Sequence, residues 1–451
     1  MERFDVFVVG GGGTGSEVAL RLGRAGGLRV GIAERDKLGG ECNHYGCVPT
    51  KVMLKSAKIA ALARDAERFG VRIPKVDVDF GAVMSRVRDV IEAGSTGAKA
   101  FEELAVTVMM EAARVVGPHE VEINGTTIRA DNIVLATGST PQIPPIPGLE
   151  GGPYWTNREA IWAPTQAPGT LAVLGTGAIG IEFAQMYARF GTRVTAFEVS
   201  PRILPNEDEA AAAAIVPVLE NDGIEIMTDA RIERCSHDGK GWTLALEGGD
   251  VVRADELLVA TGREACFDGH DLEAAGVGLD DDGKPVLGDT LRTTTPNIWA
   301  AGDATGDLLF THVGAYEADL VVADILGRPR PRDYRVVPRV TFCDPEVASV
   351  GLTEEQARES RDVRTSVVQI ADNERASIDG NTHGIVKLVA DANDGEILGG
   401  HIVAEGAGAM IHEVVAMMAG RIGAPTIGTA IHAYPTLSES VKAAAAQLGE
   451  S

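Results

Sequence analysis

The sequence predicts an α/β protein with two parallel-sheet domains followed by a C-terminal α+β domain. The first observation is a short apolar strand, a glycine-rich turn and a helix near the N-terminus, and the second is the return of this pattern after residue 170. The third is a change after residue 331 to strands and helices without such a turn. Strand, glycine turn and helix in this order form a Rossmann-like dinucleotide-binding unit, so two such domains are predicted.

Length and composition agree with several soluble domains. The 451 residues suggest about three domains at roughly 150 residues each. The net charge of −24 argues against nucleic acid or an anionic membrane as partner. No apolar run approaches the ~20 residues of a membrane span, and the N-terminus enters a strand without an export signal. With an odd number of cysteines, we predict a cytoplasmic protein.

The first glycine turn follows the strand at residues 6–9. A lone glycine motif is weak evidence, but a turn between strand and helix brings backbone N–H groups against a pyrophosphate. Glu34 ends the next strand, 34 − 10 = 24 residues after the first glycine, and can accept hydrogen bonds from a ribose. The residues predicted to bind the cofactor here are Gly10, Gly12, Gly13, Gly15, Glu34 and the adjacent Arg35.

The second glycine turn follows the strand at residues 171–174. It contains Gly175, Gly177 and Gly180, and Glu198 lies 198 − 175 = 23 residues after its first glycine. A carboxylate at this position favours a free ribose 2′-hydroxyl and repels a 2′-phosphate, so NADH is preferred to NADPH. Arg202 could instead meet a phosphate, which leaves that alternative open.

Cys42 and Cys47 form the candidate redox dithiol. They are separated by four residues and followed by an apolar helical pattern over residues 52–69. Pro49 suits a first helical turn, so Cys47 should lie near a helix N-terminus, where a thiolate is favoured. The alternatives are two buried thiols or two ligands of a metal site. A zinc site would need a second pair of ligands at matching spacing, so no metal site is predicted.

Further turns follow other predicted strands. Thr137 and Gly138 end one strand, Gly262 ends another, and Asp303 follows an Ala-Gly turn where its carboxylate could bind a polyol. The proline-rich stretch 141–147 is a boundary signal.

Over its whole length the chain resembles the FAD-dependent pyridine nucleotide-disulfide oxidoreductases, such as dihydrolipoamide dehydrogenase, glutathione reductase and mercuric reductase. The resemblance rests on the Gly-Gly-x-Cys-x4-Cys-x-Pro-x-Lys stretch, both glycine turns, both Ala-Thr-Gly turns and the Ala-x-Gly-Asp run, in the family's order. It implies FAD in domain 1–148 with its return segment 269–334, NAD in domain 149–268 and dimerisation through 335–451.

The resemblance also implies roles for single residues. Cys47 would touch the flavin, Cys42 would meet the substrate, and Lys51 would lie by the isoalloxazine and pair with Glu182 beside the nicotinamide. Gly40 would belong to the FAD site, and Asp303 would bind the ribityl chain. Hydride would pass from NADH through the flavin to the Cys42–Cys47 disulfide, and then to a small-molecule or metal-ion acceptor. The expected assembly is a homodimer with a site shared between subunits.

The chain departs from the family at the C-terminal acid-base position. Tyr434 stands where the family has histidine before proline, although Glu439 is present five residues later. A phenol with a pKa near about 10 is a poorer base at neutral pH than an imidazole near about 6.5. His432 lies two residues earlier and could substitute.

Three functions are compatible with these residues. The first is an NADH-dependent flavin dithiol enzyme similar to mercuric reductase or dihydrolipoamide dehydrogenase, whose acceptor does not require the missing histidine. The second is electron transfer to a quinone or metal ion. The third is a flavoprotein subunit of a larger complex.

Overall fold

The computed structural model describes residues 2–94 and 97–449. The chain forms two compact units. Unit 1 comprises Met1–Val52, Ser85–Gln142 and Gly262–Asp333, and unit 2 comprises Met53–Met84, Ile143–Thr261 and Tyr334–Ser451. This division does not test the predicted boundaries at 148, 268 and 334, which remain a prediction.

The described residues form helices and strands distributed over both units. The α-helices are α1 (Gly13–Ala25), α2 (Gly40–His44), α3 (Cys47–Arg64), α4 (Phe80–Gly94), α5 (Ala98–Glu103), α6 (Asn157–Trp162), α7 (Ala178–Arg189), α8 (Glu209–Asn221), α9 (Thr311–Ile325), α10 (Glu354–Arg358), α11 (Glu374–Asp379), α12 (Ala407–Gly420), α13 (Ala424–Thr429) and α14 (Glu439–Gly449).

The β-strands are β1 (Arg3–Val9), β2 (Val30–Ala33), β3 (Thr107–Met109), β4 (Ala113–Gly117), β5 (Glu120–Ile123), β6 (Thr126–Leu135), β7 (Ser139–Pro141), β8 (Thr170–Leu174), β9 (Arg193–Phe197), β10 (Ile224–Met227), β11 (Ile232–His237), β12 (Trp242–Leu246), β13 (Val251–Ala254), β14 (Glu256–Val259), β15 (Arg263–Ala265), β16 (Ile298–Ala300), β17 (Pro338–Thr341), β18 (Glu346–Gly351), β19 (Val363–Gln369), β20 (Ile385–Asp391) and β21 (Ile397–Ala404).

Unit 1 is built on a sheet in the order β3-β2-β1-β6-β5-β4, with β16 also paired to β6. Strands β1, β2, β3, β6 and β16 run parallel, and β1 and β2 are apolar and largely buried. The carboxyl ends of parallel strands meet at one edge of a sheet, where ligands of such folds bind. Gly10, Glu34, Thr137 and Asp303 therefore all follow strands that end at this edge.

Unit 2 contains a second parallel sheet in the order β10-β9-β8-β14. Gly175 follows β8 and Glu198 follows β9, so these residues repeat the arrangement of unit 1. The C-terminal part forms an antiparallel sheet in the order β17-β18-β21-β20-β19, whose core is shared with α12 and α14. The predicted α/β class, with two glycine-turn domains and a C-terminal α+β domain, is confirmed.

A buried imidazole in this C-terminal sheet is expected to make the stability of the fold sensitive to acid. His401 is fully buried on β21, where its nitrogens lie 3.1 Å from Ser349 Oγ and 3.1 Å from the Leu352 carbonyl oxygen. Burial lowers the pKa of His401, although the charge of Asp208 opposes this. Below about pH 6.5 the unfolded chain therefore binds a proton at this histidine that the folded chain does not. The free energy of unfolding decreases as the pH is lowered through this range.

We expect the urea midpoint to be lower at pH 5.5 than at pH 7.5. The contribution of His401 to this change is at most about 1.4 kcal/mol of unfolding free energy per pH unit. His401→Gln should flatten this dependence, whereas His237→Gln, at a partly exposed imidazole, should not. An unchanged slope in His401→Gln would contradict the assignment.

Candidate active site

The two cysteines of the redox stretch occupy the helices predicted for them. Cys42 lies in the short helix α2, and Cys47 is the first residue of α3, which begins five residues earlier than the apolar pattern predicted and ends at Arg64. Both are thiols in this structure, and Cys47 is exposed. Cys47 is thus placed at a helix N-terminus, where the free N–H groups favour the thiolate form.

A hydroxyl that the sequence analysis missed lies against this pair. Thr311, the first residue of α9, has its Oγ1 3.5 Å from Cys47 Sγ. A hydrogen bond with Cys47 and then burial raise the pKa of the Cys42 thiol, while Thr311 and the charge of Lys51 act in the opposite direction. Cys42 therefore holds its proton more firmly than an ordinary thiol does.

The first glycine turn is sterically suited to a pyrophosphate. A Cβ at Gly10 would lie 2.1 Å from the Ala136 carbonyl oxygen, and one at Gly15 would lie 1.9 Å from that of Gly10. At Gly12 and Gly13, in contrast, a Cβ would meet nothing within 4 Å. The turn is packed tightly on its inner side and is open where the cofactor would approach. A Cβ at Gly40 would lie 2.7 Å from the Gly12 Cα, so Gly40 permits the close approach of the two backbones.

Polar groups around the same edge fit the rest of FAD. Glu34 is buried and accepts hydrogen bonds from the backbone N–H of Gly11 at 2.8 Å and of Asp36 at 2.7 Å, while Arg35 is exposed and lies near His270. The hydroxyl of Thr137 is buried and has no hydrogen-bond partner among the described residues. An orphaned hydroxyl beside an open glycine turn is expected where a polar ligand belongs.

A chain of polar contacts links Asp303 to the redox loop. Ser139 Oγ donates to Asp303 at 2.5 Å, and Arg263 Nε donates to Ser139 Oγ at 2.8 Å. Arg263 also lies 3.8 Å from Glu41, the residue before Cys42. At the strand ends beside this chain, Gly138 and Gly262 have φ angles of 76° and 131°, which favour glycine.

The second glycine turn repeats the constraints of the first. A Cβ at Gly175 would lie 2.5 Å from the Ala260 carbonyl oxygen, one at Gly180 would lie 1.9 Å from the Gly175 carbonyl oxygen, and Gly177 is open. This tight inner side and open outer side fit a second dinucleotide.

Glu198, which follows the next strand, is ionised at neutral pH. It accepts hydrogen bonds from Ser200 N at 2.9 Å, from Thr176 N at 3.0 Å and from Thr176 Oγ1 at 2.8 Å. Burial alone would raise the pKa of Glu198, but these hydrogen bonds outweigh it and lower the pKa. The second turn therefore carries a fixed negative charge.

The candidate acid-base groups in and beside the C-terminal loop, residues 430–438, each contact a different partner. Tyr434 donates its hydroxyl proton to the Glu374 carboxylate, and the Nε2 of His432 lies 2.8 Å from Glu413 Oε1. Glu439 accepts from the backbone N–H of Thr436 at 3.0 Å. The carboxylate that contacts Tyr434 is thus Glu374, which the sequence analysis did not single out.

Glu182 lies on α7 with 5 % of its surface exposed and accepts a hydrogen bond from Phe342 N at 2.9 Å. Its pairing with Lys51 stays a prediction.

The sequence of this chain matches two family models. Residues 4–318 match the pyridine nucleotide-disulphide oxidoreductase model, and residues 337–445 match the dimerisation domain of the same family. The chain belongs to the pyridine nucleotide-disulphide oxidoreductase family. This membership confirms the predicted resemblance.

Relatives of this chain carry different enzyme names. Dihydrolipoyl dehydrogenase of Chlorobaculum tepidum is 37% identical over 98% of this chain and 96% of its own length. Mercuric reductase of Streptomyces lividans is 35% identical over 98% of this chain and 95% of its own. The Cu(II) complex of the HOCl-induced flavoprotein disulfide reductase RclA of Escherichia coli superposes with a TM-score of 0.87 at 28% identity, covering 99% and 100% of the two chains.

This family member is accordingly a flavoprotein oxidoreductase of the lipoamide dehydrogenase, mercuric reductase and RclA type, which binds FAD and NAD(P) and uses a redox-active disulfide. It carries the family's dimerisation domain. Within residues 2–94 and 97–449, no helix has both the length and the apolar character that crossing a membrane requires.

Proposed function

We propose that this oxidoreductase transfers reducing equivalents from NADH to a Cys42–Cys47 disulfide and from the resulting dithiol to an acceptor that needs no imidazole at position 434. A metal ion or a disulfide with an easily released thiolate is such an acceptor. The observation that carries the proposal is the phenol of Tyr434, bound to Glu374, at the position where the family has histidine.

Different residues of the chain have different proposed roles in cofactor binding and in the dithiol chemistry. FAD, when bound, accepts hydride on one side and passes two electrons to a disulfide on the other. Gly10, Gly12, Gly13 and Gly15 would hold its pyrophosphate, Glu34 its ribose and Asp303 its ribityl chain. Cys47 would face the cofactor and Cys42 the acceptor. The hydrogen bond with Cys47 and burial raise the pKa of the Cys42 thiol.

The known relatives support a metal ion as a serious candidate acceptor. One relative is named for mercuric ion, and one structural neighbour is a Cu(II) complex. Two adjacent cysteine sulfurs are soft ligands that bind such ions as thiolates, with release of their protons. Reduction of a dithiolane such as lipoamide requires an acid that protonates the departing thiolate, and Tyr434 supplies this less readily than an imidazole.

The test is a turnover screen with NADH and the purified yellow protein. Lipoamide, glutathione disulfide, mercuric ion, cupric ion and quinones are compared by kcat/KM. The proposal expects a metal ion or an activated disulfide to exceed lipoamide. Lipoamide turnover above that of the other acceptors would contradict it.

Glu198 is expected to select NADH over NADPH by about 10- to 100-fold in kcat/KM, which corresponds to about 1.4 to 2.7 kcal/mol. The reason is its ionised carboxylate at the second glycine turn, which would repel a 2′-phosphate. The alternative phosphate contact is disfavoured because the Arg202 guanidinium binds the carbonyl oxygens of Pro205 at 3.0 Å and Glu207 at 3.3 Å.

Glu198→Gln should reduce the preference for NADH over NADPH. The preference is measured as the rate of flavin reduction with each nucleotide. Glu225→Gln on β10 is the matched control, since that exposed carboxylate binds Thr195 Oγ1 on the neighbouring strand. A preference for NADPH in the unmodified protein would refute the assignment of Glu198.

We further propose that the protein acts as a homodimer in the cytoplasm, with Tyr434 of each subunit serving the site of the other. The dimerisation domain supports the assembly, and a catalytic dithiol is typical of a reducing compartment.

A further inference from the structure

The C-terminal loop presents Tyr434 with little packing around it. The side chain is 70 % exposed, and its hydroxyl donates to the Glu374 carboxylate. Because few contacts hold the ring, this hydrogen bond determines where the phenol oxygen lies. A hydrogen bond to an ionised acceptor is roughly twice as strong as one between neutral groups.

Glu374 is itself fixed relative to the loop by its neighbour. Asn373, 9 % exposed, donates from Nδ2 to the Thr436 carbonyl oxygen at 3.1 Å and to Ser440 Oγ at 3.0 Å. The Oδ1 of the same side chain caps α11 by accepting from Arg375 N at 2.9 Å. Asn373 therefore connects the start of α11 to Thr436 and Ser440, which both follow Tyr434 in the chain.

The carboxylate of Glu439 is engaged within its own turn. Its Oε2 accepts from the backbone N–H of Thr436 at 3.0 Å, at the start of α14. This contact stabilises the loop backbone and leaves the phenol to Glu374.

We propose that Glu374 is the positioning residue that orients the Tyr434 hydroxyl toward the acceptor, in the place that the family resemblance gives to Glu439. The inference rests on the proposed function only in that Tyr434 serves the reduction of the acceptor. In this role Glu374 acts through its hydrogen bond with Tyr434.

A double-mutant cycle in the full-length holoenzyme tests the catalytic side. Glu374→Ala should lower kcat/KM for the best acceptor of the screen by about 10-fold, whereas the rate of flavin reduction by NADH stays unchanged. Glu374→Gln, which keeps a hydrogen-bond acceptor, should recover part of the loss. In a Tyr434→Phe background, Glu374→Ala should have no further effect, while Glu439→Ala should keep the effect that it exerts through the loop backbone.

A spectroscopic readout tests the contact without relying on activity. The ¹⁹F resonance of 3-fluorotyrosine at position 434, assigned by its loss in Tyr434→Phe, should shift in Glu374→Ala and stay in place in Glu439→Ala. A shift in Glu439→Ala alone, or in neither variant, would overturn the inference. If the resonance shifts but Tyr434→Phe leaves turnover intact, the positioning contact stands and the role of Tyr434 in the proposed function fails.

Discussion

Replacing Cys47 with serine is expected to reduce dithiol-dependent turnover by at least about 10³-fold, while NADH still bleaches the flavin. A single sulfur cannot form the internal disulfide, so the acceptor half of the cycle has no dithiol to draw on. Cys47 is the thiol at the start of α3, beside Thr311. The long-wavelength absorbance shoulder expected from a thiolate next to oxidised flavin should also be missing after two-electron reduction.

The control for this variant is the same substitution at a thiol outside the site. Cys235→Ser changes a buried cysteine on β11 and should keep both the shoulder and the turnover. Quinone reduction by Cys42→Ser distinguishes the dithiol enzyme from direct electron transfer to a quinone. A rate of quinone reduction that survives this substitution does not depend on the dithiol. Metal-ion or disulfide reduction that persists in Cys47→Ser would remove the pair from the mechanism.

Substituting valine for Gly12 is expected to yield a folded protein without bound FAD. Apart from its chain neighbours, a Cβ at this position meets no atom within 4 Å, so the added side chain starts in open space on the side where the pyrophosphate would lie. FAD content is measured by the visible spectrum of the purified protein, and folding by circular dichroism. The expected loss of FAD is essentially complete, because the phosphate contacts require close backbone approach.

The matched variant is Gly177→Val in the second turn, which has the same open environment. It should keep FAD and lose reduction by NADH. Gly15→Ala provides the opposite control, since its Cβ would lie 1.9 Å from a carbonyl oxygen and should prevent folding of the turn itself. FAD retained in Gly12→Val would show that the first turn is not the pyrophosphate site.

The glycine turns and the position of Cys47 could be predicted because their signals are local. Strand, turn and helix are adjacent in sequence, and the steric need for Gly10 and Gly15 arises from the turn and from one neighbouring strand end. An apolar pattern and a proline in the first turn predict the helix after Cys47. Such features depend on few residues that are close along the chain.

Other parts of the fold gave no local signal. Strand β18 (Glu346–Gly351) was not predicted, because its central residues are all buried and show no alternation. Helix α8 was also missed, since it contains Pro217, which counts against a helix interior. In both elements tertiary packing outweighs local preference.

Contacts between distant residues were equally inaccessible to sequence reasoning. Thr311 lies 264 residues from Cys47, and Glu374 lies 60 residues from Tyr434. Neither residue belongs to a motif, so only the fold could show which hydroxyl contacts Cys47 and which carboxylate contacts Tyr434.

The polar chain from Glu41 through Arg263 and Ser139 to Asp303 constrains any engineering of the redox loop. One guanidinium supports both the residue that precedes the outer cysteine and the serine that holds the candidate ribityl ligand. Shortening Glu41 would remove one partner of Arg263 and weaken the contacts that lead to Asp303, the proposed ribityl ligand. With Asp303 in its proposed role, we expect a variant without the Glu41 carboxylate to retain FAD less firmly, unless another negative charge is placed near Arg263.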